Sequence, residues 1–308
     1  MFRAIKRCCR FSQQNNKGND MIKTAVLTSI GAAFLTTSVS LASAADLTRS
    51  ENIYNSLPAH VKEAGVINAA TASDYPPFEF LDEQNKLIGA DLDISVALGT
   101  ILGVKIVNNP TEFSNIMPGL QSKRYDIGVS SMGDYLKRQA TVDFIDYYRG
   151  GTSFLIKADG KAPEKLTDIC GAKVGALKGT SSETQAEDSS KECVKQGLPA
   201  IQVSAYPTQN DAVLALTSGR VDSVSGDGAT NGYSAQQVGG ALKNVGFTVY
   251  GDRPYYGIAV PKGSPLYQPL FDAMAVLMES GKYKEIMTKW GITDGGIDKP
   301  LKNQATAG

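Results

Sequence analysis

The sequence predicts an α/β fold of two lobes, each a mainly parallel sheet flanked by helices, with two crossings between them. Three observations predict it. Strand-like and helix-like stretches alternate β-α-β-α-β in the first half, and the order repeats in the second. Such alternation implies parallel strands covered by helices. Two stretches also share one pattern. Gly119-Leu120-Gln121-Ser122-Lys123-Arg124-Tyr125-Asp126 leads into residues 127–131, and Ala215-Leu216-Thr217-Ser218-Gly219-Arg220-Val221-Asp222 leads into residues 223–227. Each copy reads as a helix end, a tight turn and a strand that delivers a polar residue, Ser131 or Asp227, at its carboxyl end. Open α/β sheets bind ligands in the crevice past those ends. The competing reading is chance recurrence in two surface turns. Gly150-Gly151 and residues 247–250 read as the two crossings.

In chain order, residues 53–64 are expected as a helix and 66–70 as the first strand. The strand runs into Asp74-Tyr75-Pro76-Pro77-Phe78-Glu79-Phe80, where two prolines hold an extended loop. Asp91 is placed as the cap of the next helix. In that helix Ile94, Ala97, Leu98, Ile101 and Leu102 recur at helical spacing, and Gly103 stops it. Strands at 104–107 and 125–130 flank a helix at 115–121. After the crossing, strands at 152–157, 173–177, 201–205 and 221–225 alternate with helices from Ser181 to about Cys193 and over 209–218, the latter capped by Thr208. A strand at 258–260 precedes two helices with apolar stripes, Leu266-Leu270-Met274-Leu277-Met278 and Tyr283-Ile286-Met287-Trp290. Those stripes read as core packing rather than a cofactor box. The resulting division is 46–151 plus 251–296 for lobe 1, 152–250 for lobe 2, and a disordered tail over 297–308.

Residues 1–45 stand apart from this fold. Met21-Ile22-Lys23 opens an apolar run, and Ala42-Ser43-Ala44 offers a small-x-small cleavage pattern, so 1–45 is expected as a signal peptide, with 1–20 an extension ahead of a second start at Met21. A membrane anchor is the competing reading. No Cys stands at the cleavage point, so no lipid anchor is expected. Without 1–45 the chain keeps 25 basic and 30 acidic residues, a formal charge of −5, which argues against a nucleic-acid partner. Two cysteines remain, Cys170 and Cys193. An even pair in an exported chain points to a disulfide, with two buried thiols as the alternative. His60 is the sole histidine, so a Ser-His-Asp site and a zinc site are disfavoured, and no metal or cofactor is expected.

Taken together, Asp74 to Phe80, Gly89-Ala90-Asp91-Leu92-Asp93, the Ser131–Arg138 turn, Val142-Asp143-Phe144-Ile145-Asp146-Tyr147-Tyr148 and the Gly179-Thr180 turn resemble the family 3 extracellular solute-binding proteins. These are the periplasmic amino-acid receptors of ABC importers, with the type II periplasmic-binding-protein fold. The resemblance covers about residues 66–292. It implies a monomeric, non-enzymatic receptor that shuts on an amino acid or related polar solute and delivers it to a membrane permease.

By the same resemblance Arg138 pairs with the ligand carboxylate, helped by Thr180 and Ser181 at a helix start and by the Gly133 N–H. Asp227 takes the ammonium with the Ser131 carbonyl, and Tyr75 and Phe113 sandwich the side chain. Asp91 is a helix cap or a contact for a cationic side chain. One departure is Gly133-Asp134-Tyr135 ahead of Arg138, in which Asp134 could cap the helix or occupy the guanidinium. The competing function is a lyase of the cyclohexadienyl-dehydratase kind on the same fold, with Glu79, Asp91 or Lys178 as its general acid.

Overall fold

The computed structural model describes residues 46–246 and 254–305. The expected signal peptide and the crossing at 247–250 lie outside the described residues.

Two short helices open the chain, α1 (Glu51–Ser56) and α2 (Ala59–Ala64). The single helix expected over 53–64 is broken because Pro58 has no N–H to carry the ladder. Strand β1 (Val66–Thr71) follows. The segment expected as an extended loop folds as a small antiparallel sheet of β2 (Asp74–Tyr75), β3 (Glu79–Leu81) and β4 (Leu87–Ile88). Helix α3 (Ala90–Leu102) buries Ile94, Leu98, Ile101 and Leu102, and stops where Gly103 turns left-handed at φ 67°. Then come β5 (Lys105–Pro110), α4 (Ile116–Gln121), β6 (Ile127–Gly133), α5 (Leu136–Gln139) and β7 (Val142–Arg149).

Past Gly150-Gly151 the second half lays down β8 (Thr152–Lys157), β9 (Lys173–Leu177), α6 (Ser181–Lys195), β10 (Gln202–Tyr206), α7 (Gln209–Thr217), β11 (Ser223–Asp227), α8 (Gly228–Gln237) and β12 (Leu242–Gly246). The chain ends with β13 (Tyr255–Pro261), α9 (Tyr267–Glu279), α10 (Lys282–Lys289) and β14 (Gly296–Lys302). That last strand replaces the disordered tail expected from Ile297. It pairs antiparallel with β7, and Asn303 and Gln304 beyond it bond to β7.

The strands form two main sheets in the orders β14-β7-β13-β6-β1-β5 and β10-β9-β11-β8-β12. Each has a parallel core of three strands, β6-β1-β5 and β10-β9-β11, extended on one side by antiparallel strands. Apolar clusters cover both faces of each. In the first sheet Ile67, Ile94, Leu98, Leu270 and Met274 pack on one face and Ile116, Leu120, Met132 and Phe144 on the other. Burial of the α9 and α10 stripes in the first cluster fits the core-packing reading. In the second sheet, Phe154, Val174, Ala186 and Cys193 lie opposite Leu155, Ala212, Leu216 and Val224. A Cys170–Cys193 disulfide closes over a separation of 23 residues.

The repeated pattern does the same mechanical work in both sheets. Asp126 N–H donates to the Asn68 carbonyl at 2.8 Å while its carboxylate accepts the Asn68 N–H at 2.7 Å. Asp222 does the same to Lys173, at 2.8 and 2.8 Å. The turns ahead of them match too. Lys123 (φ 59°) and Gly219 (φ 74°) are left-handed, and Arg124 and Arg220 donate main-chain N–H groups to Gly119 and Ala215. Each Asp therefore pins the start of its strand to the neighbouring parallel strand, so β6 and β11 are delivered in corresponding positions.

Candidate functional site

Arg138 sits in the short α5 that follows β6, half-buried. Its Nη1 donates to the Gly133 carbonyl at 2.7 Å, and its Nη2 donates to the Gly179 carbonyl of the second half at 3.0 Å. The Phe113 and Tyr135 rings lie 5.4 and 5.7 Å from the guanidinium carbon, within cation–π range. Burial lowers its pKa, while Tyr135, Tyr256 and Asp134 oppose that shift. Gly179 is left-handed at φ 81°, and a Cβ there would crowd Ser114 at 3.2 Å, so a side chain at this position would be strained and would press on the other half.

Thr180 caps α6, accepting the Glu183 N–H at 3.3 Å and donating its hydroxyl to the Leu177 carbonyl at 2.6 Å. Its hydroxyl is thus committed within its own turn. What the helix start offers outward is the main-chain N–H groups of its first turn, at Ser181 and Ser182, which have no partner inside a helix.

Ser131 is left-handed at φ 40°, a costly backbone for a residue with a Cβ and one found mostly where the surroundings enforce it. Asp91 enforces it by accepting the Ser131 N–H at 2.7 Å, while its other oxygen accepts the Tyr147 hydroxyl. Neither expectation for Asp91 holds. Gly89 is the N-cap of α3, and the Asp91 side chain is fully buried behind Ser131. Glu79 stands beside it, accepting from the Ser130 hydroxyl at 2.7 Å. Burial and then Asp91 push Glu79 well above the usual carboxylate range; burial raises Asp91 to about 6 against bonds from Tyr147 and Ser131.

Asp227 ends β11 and caps α8, with Oδ1 accepting from Ala229 and Thr230 N–H at 2.8 and 3.4 Å. Its Oδ2 accepts the Tyr256 hydroxyl at 2.7 Å and the Gly151 N–H at 3.4 Å. Its own N–H donates to the Tyr75 hydroxyl at 3.1 Å. Burial raises its pKa. Asp134 neither caps α5 nor pairs with Arg138. One oxygen accepts from Gln139 at 2.7 Å, and the carboxyl abuts buried Asp146.

Tyr75, Phe113, Ser131, Gly133, Arg138, Thr180 and Ser181 therefore line one hollow between the two halves. Asp227 lies one layer back, joined to it through Tyr75 and Tyr256. Leu177, Ser182 and Tyr256 also line it and were not anticipated, nor was Tyr135, whose ring fills the space a Gly133 side chain would need, 2.4 Å from its Cβ position. Ser182 was open to inference as the next residue of the same helix start. Nothing local marks Tyr256, which reaches Asp227 through the antiparallel pairing of β13. The enclosed space is about 20 Å³, room for a single water. Among the described residues no group of three or more His, Cys, Asp or Glu could hold a metal ion. Nor is any described helix long and apolar enough to cross a membrane.

Two helix-flanked sheets meeting at a lined hollow define a two-lobed solute-binding protein. The chain belongs to the bacterial extracellular solute-binding proteins, family 3, which it matches over residues 67–293. It is 30% identical over 249 residues to the arginine-binding protein ArgT of Corynebacterium glutamicum, covering 80% of this chain and 81% of that one. Among solved structures, an ancestral arginine-binding protein bound to arginine is 32% identical with a TM-score of 0.68, covering 73% of this chain and 98% of that one. The ancestral arginine-binding protein bound to glutamine is also 32% identical, with a TM-score of 0.67 and coverage of 74% and 98%.

Proposed function

We propose that the protein is an exported, monomeric, non-enzymatic receptor that captures an α-amino acid between its lobes and delivers it to the membrane permease of an ABC importer. The observation that carries this reading is the convergence of Arg138 from one lobe and the start of α6 from the other on one hollow. A guanidinium fork and helix-start N–H groups are both built for a carboxylate. Asp227 supplies the negative charge for the ammonium, with the Ser131 carbonyl opposite, and Tyr75 and Phe113 flank the side chain. Because the hollow holds only about 20 Å³, an amino acid enters when the lobes part and is enclosed when they return. The arginine named for the relatives makes a cationic amino acid the first ligand to try. Residues 1–45 serve in this reading as the leader that places the protein in the periplasm.

Calorimetric titration with the common amino acids tests it. One or more should bind, and Arg138→Ala and Asp227→Ala should each remove the heat; unchanged affinity in both variants rejects the assignment. The lyase reading finds less support, since Glu79, Asp91 and Lys178 do not line the hollow. Prephenate and arogenate turnover by the wild type would restore it.

A further inference from the structure

Asp134 belongs to the stretch ahead of Arg138 that departs from the family pattern, and the binding role above leaves it unused. It stands between Gly133, whose carbonyl holds Arg138 Nη1 at 2.7 Å, and Tyr135, whose ring centre lies 5.7 Å from the guanidinium carbon. Its N–H donates to the Tyr255 carbonyl at the start of β13 at 2.8 Å, and its Oδ1 accepts the Gln139 side-chain amide at 2.7 Å. That second bond spans α5, so the Asp134 side chain braces the turn that carries Arg138.

Behind this turn lies a second carboxyl. Asp134 and Asp146 are both fully buried and abut one another, and Oδ2 of the first and Oδ1 of the second have no donor. Carboxylate oxygens only accept, so a bond between these side chains needs a proton on one of them. The C-terminal segment seals the place. Gln304 N–H donates to Asp146 Oδ2 at 3.0 Å, while Asn303 accepts the Phe144 N–H at 2.7 Å and donates to Asp143 at 2.9 Å. Among the described residues no ion pair reaches either acid. Lys262 turns to Asp143 and the Gln139 carbonyl, and Lys302 lies over the Tyr267 ring. The Tyr267 hydroxyl donates to the Phe144 carbonyl, β13 sets Gly257 opposite Asp146, and Arg138 acts on Asp134 through its charge alone.

Resting on the amino-acid reading above, we propose that Asp134 and Asp146 share one proton and act as a positioning pair. The bond between them holds the turn that presents Arg138 to the ligand carboxylate, and binding weakens when both acids ionise. Burial raises both carboxyls, and the Asp134 charge carries Asp146 further, to about 7. The proton is therefore present below about pH 7 and leaves as pH climbs through it. Two buried like charges then repel, and the freed Asp134 carboxylate competes for the guanidinium four residues on. A bound carboxylate adds negative charge near the pair, so the complex holds the proton more tightly than the free protein does. Affinity accordingly falls as pH rises.

The test is calorimetric titration of the purified wild type, Asp146→Asn and Asp134→Asn with L-arginine, at about pH 5.5 and about pH 8, on either side of the pair's titration. The first common amino acid that binds takes the place of arginine if arginine does not. The wild type should bind about tenfold more weakly at the higher pH, the effect of a one-unit difference in titration between free and bound protein. In Asp146→Asn the amide donates where the acid's proton did and does not titrate, so the ratio should shrink to within about twofold. Asp134→Asn makes the same exchange from the other side and decides if the first variant fails to fold. A brace without a shared proton would weaken binding in the variants by one factor at both pH values, and that result overturns the pair. So does a wild-type affinity that does not change with pH, or one that changes equally in all three proteins; each leaves the proposed function standing. Binding of no amino acid at all would overturn both.

Discussion

The Arg138 guanidinium crosses from one lobe to the other, with Nη2 3.0 Å from the Gly179 carbonyl oxygen. Its second nitrogen is held by the Gly133 carbonyl at 2.7 Å, so the fork is oriented by main chain on both sides of the hollow. A cation held this way is already placed for a carboxylate before any ligand arrives, and that placement lowers the ordering cost of binding.

Replacing Arg138 by Lys keeps the charge but loses the planar fork and its bidentate geometry. Affinity for the amino acid should fall by about a hundredfold, the scale of two charge-assisted hydrogen bonds. Calorimetry on the variant checks this. Affinity within a factor of two of wild type would show that only charge matters at this position.

The Tyr256 hydroxyl is bonded to Asp227, and both groups are buried. Tyr256→Phe removes a donor from a buried carboxylate, a loss of about 2 kcal/mol for a hydrogen bond to a charged group. Chemical denaturation should show that loss in unfolding free energy. An unchanged midpoint would mean that Asp227 is fully served by its main-chain donors.

Asp146 faces Asp134, and burial followed by the Asp134 charge raises it from 3.8 to about 7, against a bond from the Gln304 N–H. The folded state therefore holds this proton more tightly than the unfolded chain does. The stabilisation is complete below about pH 4 and is lost as pH climbs through about 7. Asp146→Asn imitates the protonated form without titrating, so the variant should gain on the wild type in melting temperature across that window. A difference that stays constant with pH would count against the raised value.

The Cys170–Cys193 bond closes a separation of 23 residues. The chain-entropy relation assigns a loop of this size about 3 kcal/mol, equivalent to a drop of about 6 °C in Tm for a chain of this length. Melting curves of Cys170→Ser/Cys193→Ser should show it, and a shift below about 1 °C would mean that the reduced unfolded chain is already restrained there.

Much of the architecture was legible because helix periodicity and strand alternation are local signals. The Leu-x-Ser-x-Arg-x-Asp recurrence was legible for a mechanical reason, since Asp126 and Asp222 each tie a strand start to its parallel neighbour. What escaped depends on long-range pairing. Strand β14 is short of apolar residues and contains Pro300, features of an edge strand that read locally as a tail. Arg138, Thr180 and Ser181 could be placed from motif spacing. Tyr256 could not, because its approach to Asp227 depends on β13 running antiparallel beside β6. Asp91 was misread because a carboxylate in a first helical turn looks the same in sequence whether it faces a ligand or a buried Tyr147 hydroxyl.

The central claim is that two opposed walls share one zwitterion, and a crystal structure of the complex with its tightest-binding amino acid tests it most directly. The account predicts carboxylate oxygens within about 3 Å of both the Arg138 guanidinium and the Ser181 main-chain nitrogen, with the ammonium on the Asp227 side. A ligand whose carboxylate touches one lobe alone, or that lies outside the hollow between Tyr75 and Thr180, would contradict it.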